Sequence, residues 1–244
     1  MMSDDPPPPE NPRGLDAELG RLKGRAAEMG TWALAMVHDG WQAFRTGDLD
    51  LAQAVLDRDT QLDRFDQDLE HEVIGFLVLR QPAAGDLRTA AALLKTTTHL
   101  DRIGRLGFDM ARIATPSEGH DVAELVTLLE SMDRAVESMV QQALDALRRG
   151  DAELAKGLFA RDDEVDRMHR QATRIVVREL VHDPLLAQRL SGSLLVARHF
   201  ERIADNACKI CERTIYATTG QRRAEYLPRH PYRPYVLEQR NRGQ

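Results

Sequence analysis

The sequence predicts an all-α protein made of two tandem three-helix bundles, six long antiparallel helices in total. Three observations lead to this fold class. Apolar residues recur every three or four positions along most of the chain, as in Leu125, Leu128, Met132 and Val136. Aromatic residues make up only 5 % of the 244 residues and β-branched residues are sparse, which favours helices over strands. The third observation is an internal repeat, which implies two copies of one structural unit.

Breaks in the apolar pattern separate the six helices. Each break contains Gly, Pro or a residue that caps helix N-termini, as at Gly47-Asp48, Pro82, Pro116, Gly150-Asp151 and Pro184. The predicted helices span approximately residues 15–46, 48–80, 86–114, 119–149, 151–182 and 184–218. Neighbouring helices are joined by short turns, which is typical of antiparallel bundles.

The repeat is visible as matching residues about 100 positions apart. Gly47-Asp48 corresponds to Gly150-Asp151 at an offset of 103, and the segment 99–103 corresponds to 199–203 at an offset of 100. We expect the turn near Pro82 or Pro184 to absorb the difference. The predicted organisation is a disordered Pro-rich N-terminus (1–14), a first unit (15–115), a second unit (116–220) and a basic Tyr/Pro-rich tail (221–244).

The charge balance and the cysteines exclude several classes of protein. The net charge of −6 argues against a nucleic-acid-binding surface. No apolar run is long enough to span a membrane, and the N-terminus lacks the pattern of a secretory signal, so a cytoplasmic location is expected. Cys208 and Cys211 form a single C-x-x-C pair without a second pair, and we interpret them as small core residues.

Carboxylates continue the apolar stripes of the helices in both units. Residues four apart share a helix face, so acids at this spacing on two antiparallel helices can converge. The second unit offers Asp162, Asp166, Glu201 and Asp205, and the first unit offers Asp59, Asp63 and Asp101. Two like charges 4 Å apart repel by roughly 4 kcal/mol at an effective dielectric constant near 20. A bound cation would remove this repulsion.

The two acidic sets predict metal sites of unequal strength. Oxygen ligands suit hard ions such as Mg²⁺, Mn²⁺, Ca²⁺ or Fe³⁺, and His169 could add a nitrogen that suits Fe²⁺ or Zn²⁺. Arg105 occupies the first-unit position that corresponds to Asp205, so four acids contrast with three acids and one internal cation. The sequence predicts a full metal site in the second unit and an absent or weakened one in the first. The alternative is that the acids pair with Arg161, Arg198 and Arg202 or lie on a solvated face.

The motifs resemble those of the PhoU family, the accessory and regulatory proteins of bacterial phosphate-specific transport. The resemblance covers roughly residues 15–220 and rests above all on the segment 201–207, Glu-Arg-Ile-Ala-Asp-Asn-Ala, followed by Glu212 and Gly220. It implies two three-helix bundles, often dimeric, which bind iron or zinc in some members. By position it makes Asp162, Asp166, Glu201 and Asp205 the stronger ligands and Asp59, Asp63 and Asp101 the weaker ones.

The resemblance also implies partners and a function. PhoU-like proteins repress the phosphate-starvation response by linking the ATPase subunit of the phosphate ABC transporter to a membrane sensor histidine kinase. We therefore expect a non-enzymatic adaptor that forms a homodimer and associates with the membrane only through its partners. Metal-ion candidates are Fe, Zn, Mn and Mg, with iron or zinc favoured by the resemblance.

Two other functions compete with this interpretation. A di-iron oxidase or metal-storage bundle needs Glu-x-x-His motifs on two helices, and no such motif occurs in the chain. A histidine phosphotransfer bundle is suggested by His71, and by His99 near Asp101. No phosphate-binding loop accompanies these histidines, and His99 and His199 occupy repeat-matched positions beside acids, so we interpret them as packing or metal-supporting residues.

Overall fold

The structure is a computed structural model that describes residues 12–116, 122–222 and 225. These ranges form helices throughout: α1 (Pro12–Thr46), α2 (Leu49–Asp57), α3 (Asp59–Arg80), α4 (Ala84–Arg112), α5 (Ala123–Arg149), α6 (Ala152–Gly157), α7 (Phe159–His182) and α8 (Ala187–Thr219), with a 3₁₀ turn (Pro184–Leu186) before α8. The expected disordered N-terminus lies outside the described residues except at its end, and the basic tail lies outside them except for residues 221, 222 and 225. The all-α fold class is confirmed.

The two units follow the same order of elements, and matching residues shape their turns. Gly47 and Gly150 both have positive φ angles, 69° and 66°, a conformation that glycine adopts without strain. The next residue in each unit caps a helix. The carboxylate of Asp48 accepts from the backbone N–H of Leu51, and that of Asp151 accepts from Glu153 and Leu154.

The helix bounds differ from the predicted ones in detail. The helix predicted over 48–80 is interrupted at Arg58, and the one predicted over 151–182 is interrupted at Leu158, so each divides into a short helix and a long one. α1 begins at Pro12, three residues earlier than predicted, because proline fits the first turn of a helix. Three residues separate α3 from α4 in the first unit, whereas one residue separates α7 from the 3₁₀ turn in the second. These connections therefore account for most of the difference between the repeat offsets of 103 and 100.

α4 and α8 pack against each other along the centre of the molecule. α1 and α3 flank α4 in the first unit, α5 and α7 flank α8 in the second, and α1 also contacts α5. A single apolar core runs through both units. The ring of Trp41 on α1, which is 1 % exposed, meets Phe200 on α8 edge to face, with centroids 5.8 Å apart. The core therefore joins the units rather than stopping at their boundary.

Glycines let α1 and α4 approach each other closely. A Cβ atom on Gly107 would lie 2.5 Å from backbone atoms of Met36, and one on Gly40 would lie 2.2 Å from the carbonyl oxygen of Gly107. The second unit has alanines at the corresponding positions, Ala207 and Ala143. The first unit therefore has the tighter contact between its first and third helices.

The two cysteines are buried, as expected for core residues. Cys208 and Cys211 are buried on α8, and burial raises the pKa of the Cys211 thiol to about 12. The pair therefore consists of core residues.

None of the helices that the structure describes is both long and apolar enough to cross a membrane.

Candidate metal centre

The first cluster consists of acids from α3 and α4 gathered around one arginine. Arg105 lies one helical turn beyond Asp101, and its Nε donates to Oδ2 of Asp101 at 3.1 Å. Its Nη1 lies 3.4 Å from Oδ1 of Asp59, and its Nη2 donates to Oδ1 of Asp63. One guanidinium therefore contacts all three of the acids that the sequence singled out, because its planar fork offers donors in several directions.

A fourth acid belongs to the first cluster and was missed by the sequence reasoning. Asp66 lies three residues beyond Asp63, and its charge contributes to raising the pKa of Asp101, although burial is the larger cause. One carboxylate oxygen of Asp66, Oδ1, is buried without a hydrogen-bond partner. The repeat could have indicated this residue, because Asp66 occupies the position that corresponds to His169 at the offset of 103.

The second cluster comprises Asp162, Asp166 and His169 from α7 and Glu201 and Asp205 from α8. Burial, and after it the charges of Asp205, Asp166 and Glu201, raises the pKa of Asp162 to about 7. The structure thus brings the four predicted acids within electrostatic reach of one another. Asp162 binds a proton more readily than an exposed aspartate, because it is buried and lies near other carboxylates.

Cations lie at the edge of the second cluster rather than at its centre. Arg198 pairs with Glu201 on α8, and Arg170 lies 3.9 Å from Asp166 on α7. Arg161 instead donates to the hydroxyl of Ser138 at 3.1 Å. Of the pairings considered from the sequence, the one with Arg198 is present. It engages one oxygen of Glu201, and the other, Oε2, is buried without a hydrogen-bond partner.

The position of the cation, rather than the number of charges, distinguishes the clusters. The sequence-based comparison of four acids with three acids and one arginine changes once Asp66, Arg198 and Arg170 are included, because each cluster then has four acids and at least one contacting arginine. In the first cluster one guanidinium contacts three carboxylates. In the second, Asp205 occupies the position equivalent to Arg105, Arg198 pairs with Glu201, and Arg170 lies near Asp166.

The donors of the second cluster fit a metal ion chemically. Four carboxylates and an imidazole match the ligands of Mn, Fe and Zn sites, and the buried free oxygen of Glu201 would gain a partner from a bound cation. In the geometry at hand, no group of three or more His, Cys, Asp or Glu side chains among the described residues is arranged so that it could hold a metal. Metal binding there would require these side chains to rearrange.

The histidines differ in their burial and contacts. Nδ1 of His99 lies 3.1 Å from Oδ1 of Asn206, which links α4 to α8. Burial lowers the pKa of His99 and that of its repeat partner His199, so both tend to be neutral. His71 is exposed. These positions agree with a packing role for His99 and His199.

Comparison with known proteins identifies the family. The model of the PhoU domain matches residues 26–114 and again residues 129–214. The chain belongs to the PhoU family. The two PhoU domain matches fall within the two repeat units, one in each.

Relatives resemble the chain over most of its length. The PhoU homolog of the phosphate-specific transport system from Pseudomonas aeruginosa is 34 % identical over 84 % of this chain and 86 % of its own. The homolog from Caulobacter vibrioides is 32 % identical over 87 % of this chain and 93 % of its own. Both are named accessory proteins of that system.

Solved structures show the same fold. The crystal structure of PhoU from Pseudomonas aeruginosa aligns with a TM-score of 0.77 at 34 % identity, covering 84 % of this chain and 99 % of that one. The regulatory protein PhoU from Streptococcus pneumoniae also aligns with a TM-score of 0.77, at 23 % identity over 85 % and 98 % of the two chains, which supports the fold alone.

Proposed function

We propose that this chain is a non-enzymatic regulator of phosphate uptake. It links the ATPase subunit of the phosphate ABC transporter to a sensor histidine kinase in the cytoplasm and represses the phosphate-starvation response. The observation that carries the proposal is the double PhoU domain match, together with relatives named as accessory proteins of phosphate-specific transport. The absence of nucleophile and phosphate-loop motifs in the sequence supports a role without catalysis.

Exposed apolar side chains at repeat-matched positions support the adaptor role. Val78 on α3 is 66 % exposed, and its repeat partner Val181 on α7 is 79 % exposed. One turn before each lies another exposed apolar residue, Ile74 and Val177, on the same helix face. Each unit therefore presents an apolar face to solvent, and two such faces suit a protein that contacts two partners.

Co-purification tests the adaptor role. The tagged full-length chain is expected to capture both the transporter ATPase subunit and the histidine kinase from membranes of phosphate-replete cells. Val78→Ser and Val181→Ser should each reduce capture of at least one partner, whereas Leu49→Ser, which alters an exposed apolar residue on α2, should not. Capture of neither partner by the wild-type chain would refute the proposal.

We also propose that the second cluster holds a metal ion, with Asp162, Asp166, Glu201 and Asp205 as ligands. The ion would neutralise the repulsion that raises the pKa of Asp162 and would tie α7 to α8. Asp59, Asp63 and Asp101 form the weaker set because Arg105 already contacts all three. Iron and zinc are the leading candidates, ahead of manganese and magnesium.

A homodimer completes the proposal. Light scattering on the purified chain should give a mass near twice 27.5 kDa. A monomer at micromolar concentration would leave the adaptor role intact but would remove dimerisation from it.

A further inference from the structure

A basic groove lies between α4 and α8, at the end of the molecule where α8 terminates. Ala91, Ala92 and Lys95 line it from α4, and Glu212, Arg213 and Tyr216 line it from α8, with Arg222 just beyond. The groove has a volume of about 550 Å³ and opens to solvent. Its size is comparable to that of cofactor and small-molecule sites.

Positively charged groups predominate in this groove. Arg88 adds a fourth cation at the same end, since its guanidinium lies 3.9 Å from the position of a Cβ on Gly220. Glu212 is the single acid in the lining, and its carboxylate accepts from Nζ of Lys209 at 2.9 Å. The net charge of the groove is therefore positive.

Three cations at this end of the molecule have no counter-ion among the described residues. No salt bridge joins Arg88, Lys95 or Arg213 to an acid in the part of the chain that the structure describes, whereas many arginines elsewhere are paired. The Nε–H groups of Arg88 and Arg213 are both buried without a hydrogen-bond acceptor. Since buried polar groups are usually satisfied, two guanidinium donors without acceptors, one in the groove lining and one at the same end of the molecule, indicate a missing acceptor.

The repeat provides an internal comparison. A second groove lies between α4 and α8 at the opposite end, lined by Ser191, Gly192 and Leu195, which correspond to Ala91, Ala92 and Lys95 at the offset of 100. Ile113 stands there in place of Arg213, and the ring of Phe44 adds to the lining. The lysine and one arginine have thus been replaced by apolar residues in the second groove. Arg189 is the one cation among the described residues that line the second groove. The clustering of Lys95, Arg213 and Arg222 therefore distinguishes the first groove and is not a consequence of the fold.

We propose that the basic groove binds a small molecule bearing phosphoryl groups. Phosphoryl oxygens would accept from the guanidinium groups of Arg88 and Arg213 and from the ammonium of Lys95, since arginine presents a fork that matches phosphate. Ala91, Ala92 and the ring of Tyr216 offer an apolar surface beside the cations for the rest of the molecule. Residues 221–244 contain six arginines and two acids, so the charge of this segment does not complement that of the groove.

Calorimetric titration of the purified full-length chain tests this site at constant ionic strength. Inorganic phosphate, pyrophosphate and ATP are the three probes, with sodium sulfate as the reference anion. Binding of phosphate alone at millimolar concentration would identify the free ion as the ligand, whereas binding of pyrophosphate or ATP at least tenfold tighter would identify a larger phosphorylated molecule. Failure of all three probes to bind more tightly than sulfate would overturn the proposal.

Matched variants assign any binding to the groove. Lys95→Gln and Arg213→Gln should each weaken binding at least fivefold, and Lys95 is exposed, so its replacement should leave folding unchanged. Arg112→Gln removes the same charge from the opposite end of α4, where the side chain is 66 % exposed, and should change the affinity less than twofold. Equal losses in the Lys95 and Arg112 variants, or none in either, would contradict the assignment. The test needs no transporter or kinase, so its outcome is independent of the proposed adaptor function.

Discussion

The two acidic clusters share a backbone setting and differ in where the positive charge lies. In the first, Arg105 lies among Asp59, Asp63 and Asp101 and contacts each of them. In the second, Asp205 occupies the equivalent position, and Arg198 and Arg170 each lie beside one carboxylate, those of Glu201 and Asp166. A fixed guanidinium neutralises acids permanently, whereas a set of acids without a central cation can exchange its counter-ion with solvent. A single arginine-to-aspartate difference can thus separate a structural cluster from a candidate ligand site.

The largest effect is expected from giving the second cluster the charge pattern of the first. Asp205→Arg should place a guanidinium among Asp162, Asp166 and Glu201 and lower metal affinity by at least about 100-fold, more than the roughly 10–100-fold lost when a group that only orients a ligand is removed. Elemental analysis after gentle purification measures the metal content, with Asp205→Ala as a second variant. Unchanged metal in both variants would remove the second cluster as the metal site.

The helix contact between α1 and α4 gives the next largest effect. Gly107→Ala should destabilise the fold by about 1–3 kcal/mol, because the new Cβ would lie 2.5 Å from the backbone of Met36. Helix propensity alone would favour alanine by about 1 kcal/mol, so the sign of the change in unfolding free energy shows whether the clash or the propensity dominates. Urea denaturation measures this free energy.

The matched control for this contact is Ala207→Gly in the second unit. It should cost about 1 kcal/mol through propensity, without any clash to relieve. If Gly107→Ala instead raised the stability, the close approach of α1 and α4 in the first unit would be wrong.

The pH dependence of stability distinguishes the clusters further. The folded-state pKa of Asp162, about 7, exceeds the value of about 3.9 for an unfolded chain, so the folded state binds more protons between these values. The stability of the metal-free protein should therefore fall as the pH rises from about 4 to 7. Asp162→Asn should remove about 1–2 kcal/mol of this fall, an estimate reduced for solvent screening.

Denaturation in the presence of a chelator at pH 5 and pH 8 checks this difference. Asp162→Asn should exceed the wild type in stability at pH 8 and differ little from it at pH 5. Asp63→Asn is the matched control, since it alters an acid of the first cluster, which Arg105 contacts. A parallel pH profile for wild type and Asp162→Asn would show that the second cluster is not under electrostatic strain.

The smallest effect concerns the arginines themselves. Arg105→Gln should cost about 0.5–1 kcal/mol in metal-free protein, because three carboxylates lose a partner that is itself partly exposed. Arg198→Gln should cost less, since it contacts one carboxylate. Thermal unfolding of both variants measures the loss of stability. A larger loss for Arg198→Gln than for Arg105→Gln would contradict the prediction that the arginine of the first cluster contributes more.

Much of the fold follows from local sequence signals. The repeat, the spacing of apolar residues and the capping pairs Gly47-Asp48 and Gly150-Asp151 were sufficient to predict the helices and their order. The interruption at Arg58 was not predicted, because neither Gly nor Pro marks it, whereas the one at Leu158 was missed although Gly157 precedes it. The membership of Asp66 in the first cluster was missed because it lies three residues beyond Asp63 rather than four, although the repeat pointed to it.

The sequence by itself determined an all-α repeat protein of the PhoU family and named the acids that converge. Periodicity and repetition are properties of the chain that do not depend on long-range contacts. Tertiary structure decided how the charges are arranged: that Arg105 reaches three carboxylates, that Arg198 pairs with Glu201, and that Lys95, Arg213 and Arg222 line one groove. These relations depend on how α4 packs against α3 and α8, because the strength of an electrostatic interaction is set by distance and burial rather than by the number of charges.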